Sequence, residues 1–217
     1  FVLLRSRVIT SYLRHTHHIK ALVIPCNTAT AAAIAELRAE HPDLPIVGVE
    51  PALKPALGLS VTKRIAVWAT RGTLESAKFA ALKASLSDQA EFICQPCDGL
   101  ADAIENSDTT KIEALCAEYT RASGPFGTEI QHADCLVLGC THYPLVEDLI
   151  RRQVGPSVQL IANGEAVARQ TRRLLGANLN SQKQGACAFY STGQTEVLAG
   201  ALQAWLGLNT GVRRESL

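Results

Sequence analysis

The sequence predicts an α/β protein with two parallel-sheet domains of similar topology and a functional site in the cleft between them. Apolar runs typical of buried strands, such as 64–69 and 135–139, alternate with helical segments such as 29–40. This alternation is typical of βαβ units. Two of the runs lead into a cysteine followed by hydroxyl or amide residues, at Cys26 and Cys140. Ligands of open α/β folds bind beyond such strand ends.

The first elements follow from apolar spacing and capping. Residues 3–13 have helical spacing, and we interpret the three histidines at 15–18 as a solvated helix end, since no carboxylate or cysteine nearby completes a metal site. The apolar run 21–25 predicts a strand. The alanine-rich segment 29–40 predicts a helix whose first turn carries Asn27, Thr28 and Thr30. Residues 45–49 predict the next strand.

The same pattern continues to the end of the chain. Apolar runs predict strands at 64–69, 91–94, 135–139, 158–161 and 188–190, and the segments between them predict a short helix ending at 59 and helices at 74–85, 99–105, 110–123, 143–153, 164–175 and 195–206.

Composition limits the classes of function. The 217 residues carry 21 basic and 20 acidic side chains and a net charge of +1, so we expect a small-molecule ligand and no nucleic acid or membrane partner. Seven cysteines, an odd number, without a signal peptide or a spanning run, predict free thiols and a cytoplasmic location. The chain begins at Phe1 and contains no methionine, so we expect a segment upstream of it.

The cysteines differ in their expected roles. We expect Cys116, Cys135 and Cys187 to be inert small hydrophobic residues, and the Cys94–Cys97 pair to be structural because no second CxxC completes a zinc site. At Cys26 and Cys140 the N–H groups of the following helix should lower the thiol pKa and could also bind a carboxylate. His142 could act as acid, base or ligand, but without a matching carboxylate we expect no metal.

Two motifs, Pro25-Cys-Asn-Thr-Ala-Thr30 and Leu138-Gly-Cys-Thr-His-Tyr-Pro-Leu145, resemble those of the glutamate racemase family. Similarity extends through 46–55, 69–76 and 164–169, in the family's order. The resemblance implies two α/β domains with the active site between them, for which we expect a discontinuous first domain over residues 1–50 plus 164–217 and a second domain over 51–163. It also implies interconversion of L- and D-glutamate without a cofactor, for peptidoglycan synthesis, in an enzyme that could be a homodimer.

The resemblance also implies roles for individual residues. Cys26 would be the base toward D-glutamate and Cys140 the base toward L-glutamate, with His142 assisting Cys140. The residues implied to bind substrate are Asn27, Thr28, Thr70, Thr73, Thr141 and His142. The family also has an acidic residue near the site in the second domain, for which Glu105 is the best match and Asp102 competes.

The family's opening Asp-Ser strand end and its Pro-Tyr-Gly loop do not occur in this sequence, so we expect the 217-residue chain alone to be weakly active and poorly stable. Smaller departures are Ala162-Asn163, often Asp-Ser in the family, and Pro25, often Ala. Three alternatives stay open: a racemase acting on aspartate or a hydantoin, an inactive amino-acid-binding protein, and a thiol–disulfide protein. His142 favours glutamate, because the aspartate enzymes tend to carry an acidic residue there.

Overall fold

The computed structural model, which describes residues 1–176 and 185–217, contains three parallel sheets. The largest has the order β4-β3-β5-β6, with strands Glu91–Pro96, Arg64–Ala69, Cys135–Leu138 and Gln159–Ile161. Two further sheets pair β1 with β2 and β7 with β8, over Leu22–Val23, Ile46–Val47, Phe189–Ser191 and Val212–Arg214. The predicted α/β class with parallel sheets is confirmed. Residues 177–184 of the predicted first domain lie outside the described residues.

The helices account for the remaining elements. In chain order, α1 to α10 span Val2–His17, Asn27–Glu40, Leu53–Leu59, Arg71–Leu74, Ala77–Ala84, Leu100–Glu105, Thr109–Ser123, Glu147–Val154, Gly164–Leu175 and Thr195–Leu206. A 3-10 helix over Tyr143–Val146 precedes α8, with Pro144 in its first turn. The predicted helix 143–153 is therefore present, but its first turn is a 3-10 turn and not an α-helical one.

Three local features differ from the sequence prediction. The predicted helix 74–85 is two helices, because Ser76 is extended and its hydroxyl caps a new helix by accepting from the N–H of Phe79 at 3.1 Å. The first of these helices, α4, begins at Arg71, before the predicted start at 74, and is capped by the hydroxyl of Thr70. Strand β8 was not predicted, since its sequence Val-Arg-Arg lacks an apolar run.

The core lies on the two faces of the four-stranded sheet. Alternate residues of a strand point to opposite faces. Accordingly, Ala66, Trp68, Leu136 and Leu138 pack with α6, α7 and α8 in one cluster. On the other face, Ile65, Val67, Cys135 and Val137 pack with α3 and α5. A separate cluster joins β1 and β2 to α1 and α2 through Leu22, Ile34, Leu37 and Ile46.

Two segments connect the four-stranded sheet to the rest of the fold, and Asn163 joins them. Its Nδ2 donates to the backbone carbonyl of Glu50 at 2.6 Å. The carboxylate of Glu50 in turn lies 2.7 Å from Nζ of Lys78 on α5. Asn163 therefore links the segment after β2 to the segment after β6.

Asp134 stabilises the start of β5 from a buried position. Its carboxylate accepts from the hydroxyl of Ser60 at 2.6 Å and from the N–H groups of Val61 and Thr62 at 2.6 and 3.0 Å. Burial raises the pKa of the Asp134 carboxyl, but these hydrogen bonds outweigh it and hold the pKa below its ordinary value. The charged form is therefore the one that stabilises the fold.

Replacing Asp134 with asparagine is expected to lower the free energy of unfolding by about 1.5–3 kcal/mol near neutral pH, the range for hydrogen bonds to a charged group. Because the folded pKa is depressed, this contribution is complete above the unfolded value of about 3.9 and is lost as pH falls through the folded pKa. The free energy of unfolding, measured with urea at about pH 7 and about pH 3, should thus change less between these two pH values in the variant than in the unchanged protein. Exposed Asp88, changed in the same way, is the control.

Among the described residues, no helix combines the length and the hydropathy needed to cross a bilayer.

Candidate active site

Cys26 sits at the N-cap of α2, just after β1. Its backbone is extended, with φ −147° and ψ 118°, and its Sγ accepts from the N–H of Ala29 at 3.4 Å. The first turn of α2 is fixed to the strands, because the Thr30 hydroxyl donates to the Ile24 carbonyl at 3.3 Å and accepts from the N–H of Val49 at 3.0 Å. The thiol of Cys26 is thus held by backbone and is exposed to solvent.

Cys140 follows β5 and is buried. It is separated from the strand only by Gly139, whose N–H donates to the Trp68 carbonyl at 2.7 Å. Its Sγ lies 3.6 Å from Nδ1 of His142. This is within hydrogen-bonding range for sulfur, so the imidazole can exchange a proton with the thiol.

The expected lowering of the Cys140 pKa is wrong. Burial raises it, and only part of that effect is opposed by the N–H of His142; charges on Cys26 and Glu105 raise it further. The segment after Cys140 is a four-residue 3-10 helix with little dipole to offer. Cys140 is therefore held as a neutral thiol, a proton donor, at neutral pH.

The loops that carry the two cysteines touch each other. The hydroxyl of Thr141, next to Cys140, donates to the carbonyl of Pro25, next to Cys26, at 2.8 Å. A charge on Cys26 also raises the pKa of Cys140, so the two thiols share one electrostatic environment. Both cysteines are unpaired.

Three threonine hydroxyls form a cluster beside Cys26. Thr28 on α2 lies 2.8 Å from Thr70 and 3.1 Å from Thr73, and the last two are 3.0 Å apart. Each hydroxyl can donate one hydrogen bond and accept two, so the cluster can rearrange its hydrogens to meet a carboxylate. The structure thus brings together three of the residues predicted to bind substrate.

Asn27 is placed differently from the other predicted substrate residues. It is 5% exposed, and its Oδ1 and Nδ2 have no hydrogen-bond partner among the described residues. It lines a small cavity between α2 and α5 together with Thr30, Thr73 and Ser76. A buried amide without partners is costly, by about 1–3 kcal/mol, so this position favours a bound polar group.

Glu105, and not Asp102, lies at the histidine. An oxygen of Glu105 is 3.7 Å from Nε2 of His142. Asp102 instead pairs with Lys111 at 3.3 Å. The two residues point in directions about 60° apart around α6, and the packing of the helix determines which direction faces His142.

The other cysteines do not join the site. Cys97, Cys116 and Cys135 are buried, and burial raises the pKa of each, to about 11 for Cys116 and about 12 for Cys135. Cys187, expected to be an inert small hydrophobic residue, is exposed. In the part of the chain that the structure describes, no group of three or more His, Cys, Asp or Glu side chains could hold a metal ion.

Sequence reasoning missed a cavity beside His142, one wall of which is formed by α10. Its residues Leu198, Ala201, Leu202, Trp205 and Leu206 line a cavity of about 160 Å³ together with Ile104, Glu105, His142 and Leu145. The helical spacing of 198, 202 and 205 indicates a buried face. The sequence does not say which element that face covers.

The model of the family described as Asp/Glu/Hydantoin racemase matches residues 6–171. The chain belongs to this racemase family. A curated member, the glutamate racemase of Ectopseudomonas mendocina, is 46% identical over 193 residues, which cover 87% of this chain and 71% of that protein. The glutamate racemase of Methylococcus capsulatus is 41% identical and covers 88% of this chain and 70% of its own length.

Solved structures of the racemase family agree with this fold. The crystal structure of glutamate racemase isoform RacE1 from Bacillus anthracis superimposes with a TM-score of 0.81 at 27% identity, covering all of this chain and 80% of that one. Escherichia coli glutamate racemase, in complex with L-glutamate and the activator UDP-MurNAc-Ala, has the same TM-score at 24% identity and supports the fold alone. The family relatives named here are isomerases acting on amino acids.

Proposed function

We propose that the protein interconverts L- and D-glutamate by proton transfer between two thiols, without a cofactor, and supplies D-glutamate for peptidoglycan synthesis in the cytoplasm. The hydrogen bond from Thr141 to the carbonyl of Pro25 carries this proposal. It joins the immediate neighbours of the two cysteines, so that two acid–base groups from different strand ends serve one cleft. The names of the curated relatives support glutamate as the substrate.

Two acid–base groups are what inversion at a carbon requires. In the direction from D-glutamate, Cys26 as thiolate removes the α-proton, and the bonding pair stays on the α-carbon. The Cys140 thiol then delivers its proton to the opposite face. The reverse direction uses the same two groups with exchanged roles. The neutral state of buried Cys140 suits the start from D-glutamate.

Each neighbouring polar group would bind the part of the substrate that matches the hydrogen bonds it can still donate or accept. The hydroxyl of Thr141 already donates to Pro25, so it is left to accept a hydrogen bond from the substrate amino group. The cluster of Thr28, Thr70 and Thr73 can donate to a carboxylate. Asn27, without partners in its buried position, would gain hydrogen bonds from a substrate group that reaches it.

The proposed site lies between two domains, 1–50 plus 164–217 and 51–163. The hydrophobic clusters support this division for β1 and β2, because their cluster is distinct from the two on the four-stranded sheet, whereas Trp205 of the first domain packs against the cluster of the second. The hydrogen bond of Thr141 to Pro25 holds the two cysteine-bearing loops together. Separation of the two domains would let the substrate enter between Cys26 and Cys140.

Incubation in deuterated water tests the proposed reaction and its substrate. The full gene product, given L- or D-glutamate, is expected to form the opposite enantiomer with deuterium at the α-carbon, because the second thiol delivers a solvent-derived proton. Proton NMR and chiral chromatography measure both events. Exchange of the α-proton of aspartate or a hydantoin, and not of glutamate, would instead make the protein a racemase of that other substrate. Absence of exchange with all of them would favour an inactive binding protein.

A further inference from the structure

Helix α10 contacts α6 through one hydrogen bond next to the site. The indole Nε1 of Trp205 donates to the backbone carbonyl of Ile104 at 2.8 Å. That carbonyl belongs to the last turn of α6, where carbonyl groups have no partner inside the helix. It also accepts from the N–H of Ser107 at 3.0 Å. Trp205 thus fixes the C-terminal end of α6 from a different part of the chain.

The residue after Ile104 is Glu105, whose side chain has little else to hold it. The Glu105 side chain is 61% exposed, so packing does not fix it and its position depends on where α6 ends. Its oxygen lies 3.7 Å from Nε2 of His142, which is within electrostatic range and longer than a hydrogen bond. Small movements of the end of α6 would therefore change this contact strongly.

Glu105 in turn determines how His142 meets the thiol. A carboxylate facing Nε2 favours the tautomer with the proton on that nitrogen. This leaves Nδ1 unprotonated, 3.6 Å from Sγ of Cys140, where it can accept the thiol proton. The other tautomer would present an N–H to the sulfur and could not take its proton.

We propose that Trp205 is a positioning residue for the Cys140 side of the reaction: its hydrogen bond to Ile104 holds Glu105 where it sets the tautomer of His142. Trp205 touches neither thiol and acts only through α6. The packing around it is incomplete, because the cavity of about 160 Å³ lies between α10 and His142. Trp205 also packs against the hydrophobic cluster that contains Ile104, and the hydrogen bond adds a directional restraint on the distance between the two helices at this point.

The first test does not depend on turnover. Replacing Trp205 with phenylalanine removes the N–H and keeps the aromatic ring. Nitrogen-15 NMR of His142 is expected to report mainly the Nε2–H tautomer in the unchanged protein and a clear shift toward the Nδ1–H tautomer in the variant. Leu198→Ala trims the same face of α10 and keeps the indole N–H, so it should retain the tautomer.

The second test measures catalysis and rests on the proposed two-thiol reaction. Trp205→Phe is expected to lower kcat about two- to tenfold, the range for loss of one neutral hydrogen bond. Because only the Cys140 step is slowed, the isotope effect of α-deuterated L-glutamate should rise and that of α-deuterated D-glutamate should fall toward unity. A loss of folded protein alone would move neither isotope effect.

The outcomes separate the two proposals. An unchanged tautomer in Trp205→Phe, or the same change in Leu198→Ala, contradicts the positioning role. A shifted tautomer with equal isotope effects for both enantiomers contradicts it too, since Cys140 is then unaffected. If the unchanged gene product exchanges no α-proton while the tautomer shifts in Trp205→Phe, the racemase assignment fails and the positioning of His142 stands.

Discussion

Replacing Cys140 with serine is expected to lower kcat for glutamate in both directions by about 10²- to 10⁴-fold, the usual contribution of a positioned acid or base. The serine hydroxyl is a much weaker acid than a thiol and its alkoxide is not formed at neutral pH. Replacing Cys26 should have an effect of similar size, since each turnover uses both groups. Chiral chromatography of product formed from each enantiomer measures the loss.

The double variant sharpens this test. Because the two thiols act as one unit, changing both is expected to cost little more than changing either one. Cys187→Ser is the matched control, since Cys187 is an exposed thiol distant in sequence from both motifs, and it should keep full activity. Near-normal turnover by either single variant would remove the two-thiol mechanism.

Replacing Gly139 with alanine is expected to lower the free energy of unfolding by about 1–3 kcal/mol, as overpacking does in cores. A Cβ at Gly139 would lie 2.8 Å from the carbonyl oxygen of Trp68 and 3.0 Å from Cβ of Ala69. The first of these atoms is backbone in the central strand and cannot swing away. For a chain of this size each kcal/mol lowers Tm by about 2–4 °C, which thermal unfolding measures.

Activity should fall with stability in this variant, because Gly139 immediately precedes Cys140 and a shift of the end of β5 displaces the thiol. Gly58 gives the matched control: it lies in α3, and no atom of the part of the chain that the structure describes is within 4 Å of a Cβ added there. Alanine at that position should leave stability unchanged or raise it by up to about 1 kcal/mol. Equal changes in the free energy of unfolding for Gly139→Ala and Gly58→Ala would mean that β5 does not pack tightly against β3 at Gly139.

The sequence predicted the elements well where the signal is local. The buried strands 64–69 and 135–139 are continuous apolar runs, and their positions agree with β3 and β5 to within one residue. Helices with clear periodicity, such as 164–175 and 195–206, have the predicted bounds. The split at Ser76 and strand β8 were missed, because a capping hydroxyl and a short exposed strand leave little trace in apolar spacing.

The candidate site was predicted in its residue types but not in its arrangement. The motifs around Cys26 and Cys140 identified both thiols, and the hydroxyls of Thr28, Thr70 and Thr73 do come together. The burial of Asn27 and the absence of hydrogen-bond partners for its side chain among the described residues were not foreseen. The roles of all these residues stay predictions until the variants are measured.

The sequence by itself determined the alternation of strands and helices and the positions of Cys26 and Cys140 after strands. Both features depend on the period of apolar residues and on neighbours along the chain. The tertiary structure decided the raised pKa of Cys140, the choice of Glu105 over Asp102, and the contact of Trp205 with Ile104. Burial and contacts between distant segments exist only after the elements pack, so no local pattern encodes them.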